Sequence, residues 1–280
     1  MAQLGDNQYG KSRVRLSRIT RQGDRHHFQE WNVRVLLQGD FVESFTKADN
    51  SKILPTDTMK NTVYSLARDS RAATIEEFAI ELGDYLLQNN AQVTSATVEI
   101  SERAWRPMTV TDKPELHTYK LDGPELQTAL ATRAKGGTWS VTSGIDSLTI
   151  LKTTNSGFEG FVKDKLTTLK PVGDRIFGTS ATATWQFASP QPQYEVVREQ
   201  VVSALMREFA GHDSKSVQHT LFDMAKAALA AAPDVARITL AMPNLHHLLA
   251  DLRPFGQDNP NHIFVPIDEP HGYIEATIER

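Results

Sequence analysis

The sequence predicts an α+β fold built twice over. Three observations carry that expectation: apolar and polar residues alternate with period two in several segments, each half holds two consecutive amphipathic helices, and the same element order returns after Lys135-Gly136-Gly137. Antiparallel strands with helices gathered on one face bury both apolar surfaces in two layers. At 280 residues the chain has room for two domains of ordinary size. Paired glycines are strong punctuation, so the expected domains are 1–135 and 136–280.

In the first half, Ser12 to Ile19 sets Val14 and Leu16 against Arg13 and Arg15, the pattern of a half-buried strand. After a turn at Gly23-Asp24, Phe28 to Leu37 sets Trp31, Val33, Val35 and Leu37 against Glu30, Asn32 and Arg34, which completes a hairpin. Pro55 keeps Leu54 extended, and a helix is expected from about Asp57 to Arg68, capped by Thr56 or Asp57. Thr74 and Glu77 form a capping box ahead of Ile75, Phe78, Ala79, Leu82 and Leu86, an apolar stripe at helical spacing. Ala96, Val98 and Ile100 mark a third strand. A fourth is expected between Leu116 and Ala134, interrupted at Asp122-Gly123-Pro124.

In the second half, Trp139 to Ile150 is strand-like around a break at Ser143-Gly144. A long connection, Thr153 to Ser180, leads to a Thr- and aromatic-rich strand, Ala181 to Phe187. Tyr194 to Phe209 repeats apolar residues four apart, with Gly211 placed for a C-terminal cap. Ser216 to Ala232 is a second helix. Ala236, Ile238 and Leu240 mark a strand, and Ile274, Ala276 and Ile278 mark the last one.

Composition narrows the chemistry. Hydrophobic content of 40% and charged content of 23% are ordinary for a soluble globular chain. A net charge of -4 leaves no electrostatic footprint for nucleic acid. No apolar run has the length of a membrane span, and residues 1–10 lack the apolar core of a secretory signal. With no cysteine, disulfides, thiolate metal sites and cysteine nucleophiles are excluded, and a cytoplasmic location is expected. Nine histidines include the adjacent pairs His26-His27 and His246-His247, whose members point to opposite faces of a strand. No metal site is expected from them, and no phosphate-binding glycine loop or nucleophile elbow occurs.

The remaining candidates are polar groups at element ends, each with a simpler reading beside the functional one. Lys11 follows Tyr9-Gly10 and reads as a solvated lysine. Thr56 and Asp57 read as a helix cap, although a helix N-terminus also suits an anion. Phe158, in a Ser/Gly/Asn loop, reads as a core anchor. Arg175 suits bidentate binding of a planar anion or a surface pair with Asp174. Val217 and Gln218 lie in the first turn of a helix. Asn244 and His246 follow a strand end and read as a turn with an exposed imidazole.

Taken together, these segments resemble urate oxidase (uricase). The resemblance runs through Tyr9-Gly10-Lys11, Thr46 to Ser51, Thr56 to Asn61, Thr154-Asn155-Ser156 with Phe158 and Phe161, Thr167 to Lys170, Asp174-Arg175-Ile176, Ala183-Thr184-Trp185, Ser216-Val217-Gln218 and Met242 to His246. Their shared order along nearly the whole chain carries the likeness. It implies a tandem tunnelling fold (T-fold): two antiparallel four-stranded sheets, each with two helices on one face. It implies a homotetramer that closes the sheet edges, with active sites at subunit interfaces. It implies oxidation of urate by O₂ and water to 5-hydroxyisourate and hydrogen peroxide, with neither metal nor organic cofactor.

The resemblance also implies roles. Arg175 clamps the purine anion, Gln218 bonds its other edge and Phe158 stacks on the ring. The N–H groups of Asp57 and Val217 bind urate heteroatoms. Lys11, Thr56 and His246 relay protons, and Asn244 holds O₂ or water above the ring. The C-terminal tripeptide, Ile278-Glu279-Arg280, lacks a peroxisomal address, which points to a bacterial cytoplasmic type. The rivals are a pterin or purine enzyme of the same fold group and a non-catalytic purine-binding protein. Zinc cyclohydrolases need Cys/His ligands this chain lacks, and a degenerate binder would not keep all the polar groups together.

Overall fold

A computed structural model describes residues 2–280. The chain divides into two compact units, Met1–Gly144 and Ile145–Arg280. The division falls inside a strand. Gly136-Gly137, the expected boundary, lies in the turn just before that strand, with Gly136 at φ 81°.

The first unit opens with the hairpin β1 (Tyr9–Gln22) and β2 (Arg25–Gly39), continues through helices α1 (Val42–Thr46), α2 (Thr56–Asp69) and α3 (Ile75–Asn89), and ends its sheet with β3 (Val93–Thr111) and β4 (Lys113–Ala134). The strands pair antiparallel in the order β1-β2-β3-β4. Alternation along β2 puts Trp31, Val33, Val35 and Leu37 in one core with Phe78 and Leu82 of α3 and Met59 and Val63 of α2. Each such side chain contributes about 1.5–3 kcal/mol when fully buried. The capping box forms: Glu77 N–H donates to Thr74 Oγ1 and Thr74 N–H donates to Glu77 Oε2, both at 3.3 Å.

Several expectations change. The N-cap of α2 is Pro55, and no side chain caps it, so neither Thr56 nor Asp57 has that role. Asp57 instead holds Lys60 and accepts from Asn61 at 3.0 Å. The interruption at Asp122-Gly123-Pro124 does not end β4. The partners run from Arg103↔Leu126 to Trp105↔Leu121, so the extra residues are absorbed as a bulge with Gly123 at φ 79°. The short helix α1 lies between β2 and the Thr46 to Ser51 segment, and the sequence reading does not anticipate it.

The second unit comprises β5 (Ser140–Lys152, its start in the first unit), β6 (Phe177–Phe187), α4 (Tyr194–Gly211), α5 (Val217–Ala231), β7 (Val235–Ala241), β8 (Asn244–Leu249), β9 (Phe264–Gly272) and β10 (Glu275–Glu279). The main path is β5-β6-β7-β10, and β8 pairs with β6 and with β9. Trp185 and Ala183 of β6 pack with Val201 and Leu205 of α4 and Leu221 and Met224 of α5. β5 runs through Ser143-Gly144 without a break. Gly211 is the last helical residue of α4, and the cap is His212 at φ -73°, so no left-handed glycine ends the helix. Asn244 and His246 lie on a paired strand, not in a turn, because β9 supplies a ladder that the local sequence does not announce.

Candidate active site

Two groups of residues emerge, one in each unit. In the first, Lys11 sits near the start of β1. Its partner is Val35, while Val14 pairs with Val33, so one extra residue bulges between them, with Arg13 at φ 58°. The bulge changes the parity of the strand. Tyr9 and Lys11 thereby share the face of Val14, the face that α2 covers. Gly10 is required by close approach: a Cβ there would lie 1.8 Å from the carbonyl oxygen of Val35. The Tyr9 hydroxyl accepts from Leu54 N–H at 2.9 Å and donates to Leu54 O at 3.2 Å. This clasp fixes the strand start beside the residue that precedes Pro55 and the N-terminus of α2.

Asp57 is held below the usual carboxylate range first by its bond to Lys60, with the Lys11 charge a lesser contribution. Its carboxylate is therefore committed to cations of its own unit. Thr56, Asp57 and Thr58 occupy the first turn of α2, where backbone N–H groups have no carbonyl one turn back to bond. Lys11 itself is half-buried rather than fully solvated.

In the second unit, Phe158, Arg175, Val217, Gln218, Asn244 and His246 line a single cavity of about 840 Å³. That is within the range of ordinary small-molecule sites. The loop carrying Phe158 and Arg175 is built by backbone pairing. Phe158 N–H donates to Val172 O at 2.7 Å, Val172 N–H returns to Phe158 O at 3.1 Å, and Arg175 N–H donates to Ser156 O at 2.7 Å. A Cβ on Gly157 would lie 2.8 Å from Gly173 O, so the two arms of the loop approach closely there.

Asp174 is not a surface partner for the Arg175 side chain. Its carboxylate accepts from Thr154 Oγ1 at 2.7 Å and Ser156 N–H at 3.2 Å, which lowers its pKa in that order of strength. The Arg175 guanidinium instead lies 5.4 Å from the centroid of the Phe158 ring. Burial pushes the Arg175 pKa below its ordinary value. Phe158 is stacked on Phe161, with centroids 5.0 Å apart and planes 10° from parallel.

At the N-terminus of α5, Ser216 Oγ accepts from His219 N–H at 3.1 Å. The amides of Val217 and Gln218, ahead of it, belong to the unbonded first turn. Capping is thus the work of Ser216, and Gln218 faces the cavity. On β8, Asn244 Nδ2 lies 3.4 Å from His246 Nδ1. Burial, and then the positive charges of Arg175 and His271, lower the His246 pKa below the ordinary value. Both causes favour the neutral imidazole over the charged one.

Comparison with known proteins bears directly on this arrangement. The family model described as uricase matches residues 7–132 and 141–275. The chain belongs to the uricase family. Among curated relatives, the uricase of Arthrobacter globiformis is 40% identical over 277 residues, covering 99% of this chain and 90% of the relative. The uricase of Dictyostelium discoideum is 40% identical over 283 residues, covering 100% and 98%. The crystal structure of the Arthrobacter globiformis uricase superposes with a TM-score of 0.94 at 38% identity, covering 100% of this chain and 96% of that one. A mutant of urate oxidase from Bacillus sp. TB-90 matches at a TM-score of 0.87 with 20% identity, covering 98% and 99%, a likeness of fold. The α+β class read from the element order, and the tandem T-fold that the resemblance implies, are therefore the fold of the chain.

Within this uricase-family chain, Phe158, Arg175, Val217, Gln218, Asn244 and His246 come together in one cavity. Lys11, Thr56 and Asp57 belong to the other unit. Some cavity residues lie outside the sequence expectations. Asn261, His262 and Phe264 approach from β9 and the loop before it, and Leu169 and Val172 from the long connection. Tyr9 enters the sequence reading only as a neighbour of Lys11, although its hydroxyl makes the clasp. The available signal is a Tyr-Gly-Lys start to a strand whose alternation then shifts by one.

Proposed function

We propose that this member of the uricase family oxidises urate with O₂ and water to 5-hydroxyisourate and hydrogen peroxide, without metal or organic cofactor. The observation that carries the reading is the joint placement of Arg175, Phe158, Gln218 and Val217 around one cavity. A planar anion is matched there by a forked cation, an aromatic face, an amide and a helix N-terminus. The reaction balances: urate gives two electrons and two protons to O₂, which becomes peroxide, and water then adds to the oxidised ring and supplies the new hydroxyl.

In this reading Arg175 and Gln218 hold the two edges of the purine anion, and Phe158 packs against its face. The N–H groups of Asp57 and Val217 bond its heteroatoms. Lys11, Thr56 and His246 form the proton relay. Urate is already anionic near neutral pH, and loss of a further proton makes it electron-rich enough to reduce O₂. Lys11 serves as base only when neutral, and Thr56 passes the proton on. His246, on β8 beside Asn244, orients or receives that proton. Asn244 holds O₂ or water over the ring. The protein works as a cytoplasmic homotetramer in which Lys11, Thr56 and Asp57 of one subunit complete the cavity of another. No helix among the described residues is long and apolar enough to cross a membrane.

The test is a urate absorbance assay under air, with and without a chelator. Loss of the purine band with one peroxide released per urate, unchanged by chelator, is the expected result. An absence of turnover, or turnover abolished by chelation, overturns the proposal.

A further inference from the structure

We infer that His212, His219 and Asp223, with Glu208 beside them, form a binding site for a divalent transition-metal ion of the Zn²⁺ type. The site ties the end of α4 to the start of α5. Glu208 and His212 are four apart at the end of α4, and His219 and Asp223 are four apart on α5. Residues four apart share a helix face, so each helix presents one imidazole and one carboxylate.

The distances bring two imidazoles and two carboxylates within reach of one ion. His219 Nε2 lies 3.2 Å from Asp223 Oδ2. His212 Nδ1 lies 3.6 Å from the same oxygen and 3.5 Å from Glu208 Oε1. The two contacts of His212 are longer than normal N–H···O hydrogen bonds. The three separations lie within about 0.3 Å of the edge of a coordination tetrahedron, about 3.3 Å for metal–ligand bonds of about 2.0–2.1 Å. One ligand atom each from His212, His219 and Asp223 falls within 4.8 Å of the others.

Burial confines the polar contacts of His212 to Nδ1, the ring nitrogen that faces the two carboxylates. The His212 side chain is only 9% exposed. Its Nε2 is buried and has no hydrogen-bond partner among the described residues. The polar contacts of the ring are therefore on the cluster side. A search for His-x-x-x-His misses the pattern, since one histidine of the usual pair is replaced by Asp223 and the second comes from the preceding helix. None of the four residues lines the cavity. The ion is structural: it joins the end of α4 to the start of α5, away from the cavity.

The experiment uses the full-length protein, freed of metal by chelator and dialysis. Zn²⁺ alone is titrated by calorimetry, and thermal unfolding is followed with and without it. Co²⁺ serves as a spectroscopic probe of tetrahedral geometry. The wild-type chain should bind one ion per chain, melt about 5 °C higher at saturation and give an intense Co²⁺ d–d band. His219→Gln, at an exposed position, and Asp223→Asn, which keeps the side-chain shape, should each lose the melting shift and the band. Urate turnover should not change with the ion. Absence of binding to the wild-type chain, or responses in the two variants equal to wild type, overturns the site. Loss of turnover on removing the ion overturns its structural role.

Discussion

At Arg175 the guanidinium is packed near the Phe158 ring and lines the cavity, while the neighbouring Asp174 is occupied by Thr154 and the Ser156 amide. A cation freed from its adjacent carboxylate is available to an anionic ligand. Thr56 differs in kind: it is a hydroxyl at the start of α2 that caps nothing. These positions predict different kinetic losses. In the proposed function, Arg175→Ala removes two charge-assisted bonds to the purine and should raise KM about 100-fold, corresponding to about 3 kcal/mol. Thr56→Ala should lower kcat by about 100-fold or more while leaving urate affinity within a few-fold. Steady-state kinetics together with binding of a non-oxidisable purine checks both. Parallel losses in the two parameters for both variants would contradict the division of roles. Thr56 and Arg175 stand out in the sequence only because the neighbouring residues resemble the family's pattern. The freedom of Arg175 is not, since Asp174 precedes it and a local ion pair is the simpler inference from sequence.

Among the elements, the bulged start of β1 has the most direct bearing on the site. The sequence alternation predicts Val14 and Leu16 inward, and an unbroken strand would then turn Lys11 away from the core. The bulge at Ser12-Arg13 restores it to the face under α2. Gly10 permits that course because its backbone lies against Val35. Gly10→Ala should therefore push β1 off β2, costing about 2 kcal/mol of stability and at least a tenfold loss of kcat. Denaturant melts and turnover measure the two effects, and an alanine variant with both parameters intact would refute the positioning role. The capping box of α3 is legible because its signal is local, confined to Thr74 and Glu77. The β8–β9 pairing is not. Its residues carry no clean alternation, and its register comes from a strand beyond an intervening loop.

For the whole molecule, the proposed site draws on two subunits, and this yields a test by mixing. Thr56→Ala and Arg175→Ala, each impaired alone at low urate, should regain activity when their subunits are mixed and reassembled. Random pairing leaves both damaged residues together in about a quarter of the shared sites, and makes about another quarter fully wild-type. Recovery toward about a quarter of wild-type activity is expected, and none at all would place each site within one chain. The α+β class, the doubled element order, the two helical stripes and the family are all readable along the chain, because these depend on periodicity and short ordered motifs. That six dispersed residues, from Phe158 to His246, line one cavity, and that Tyr9 clasps Leu54, comes from the tertiary fold alone. The tertiary fold also decided that Asp57 and Asp174 turn their carboxylates to partners in their own segments. Such pairings depend on how the backbone brings donors and acceptors within a few ångströms, and no local pattern of residue types encodes that.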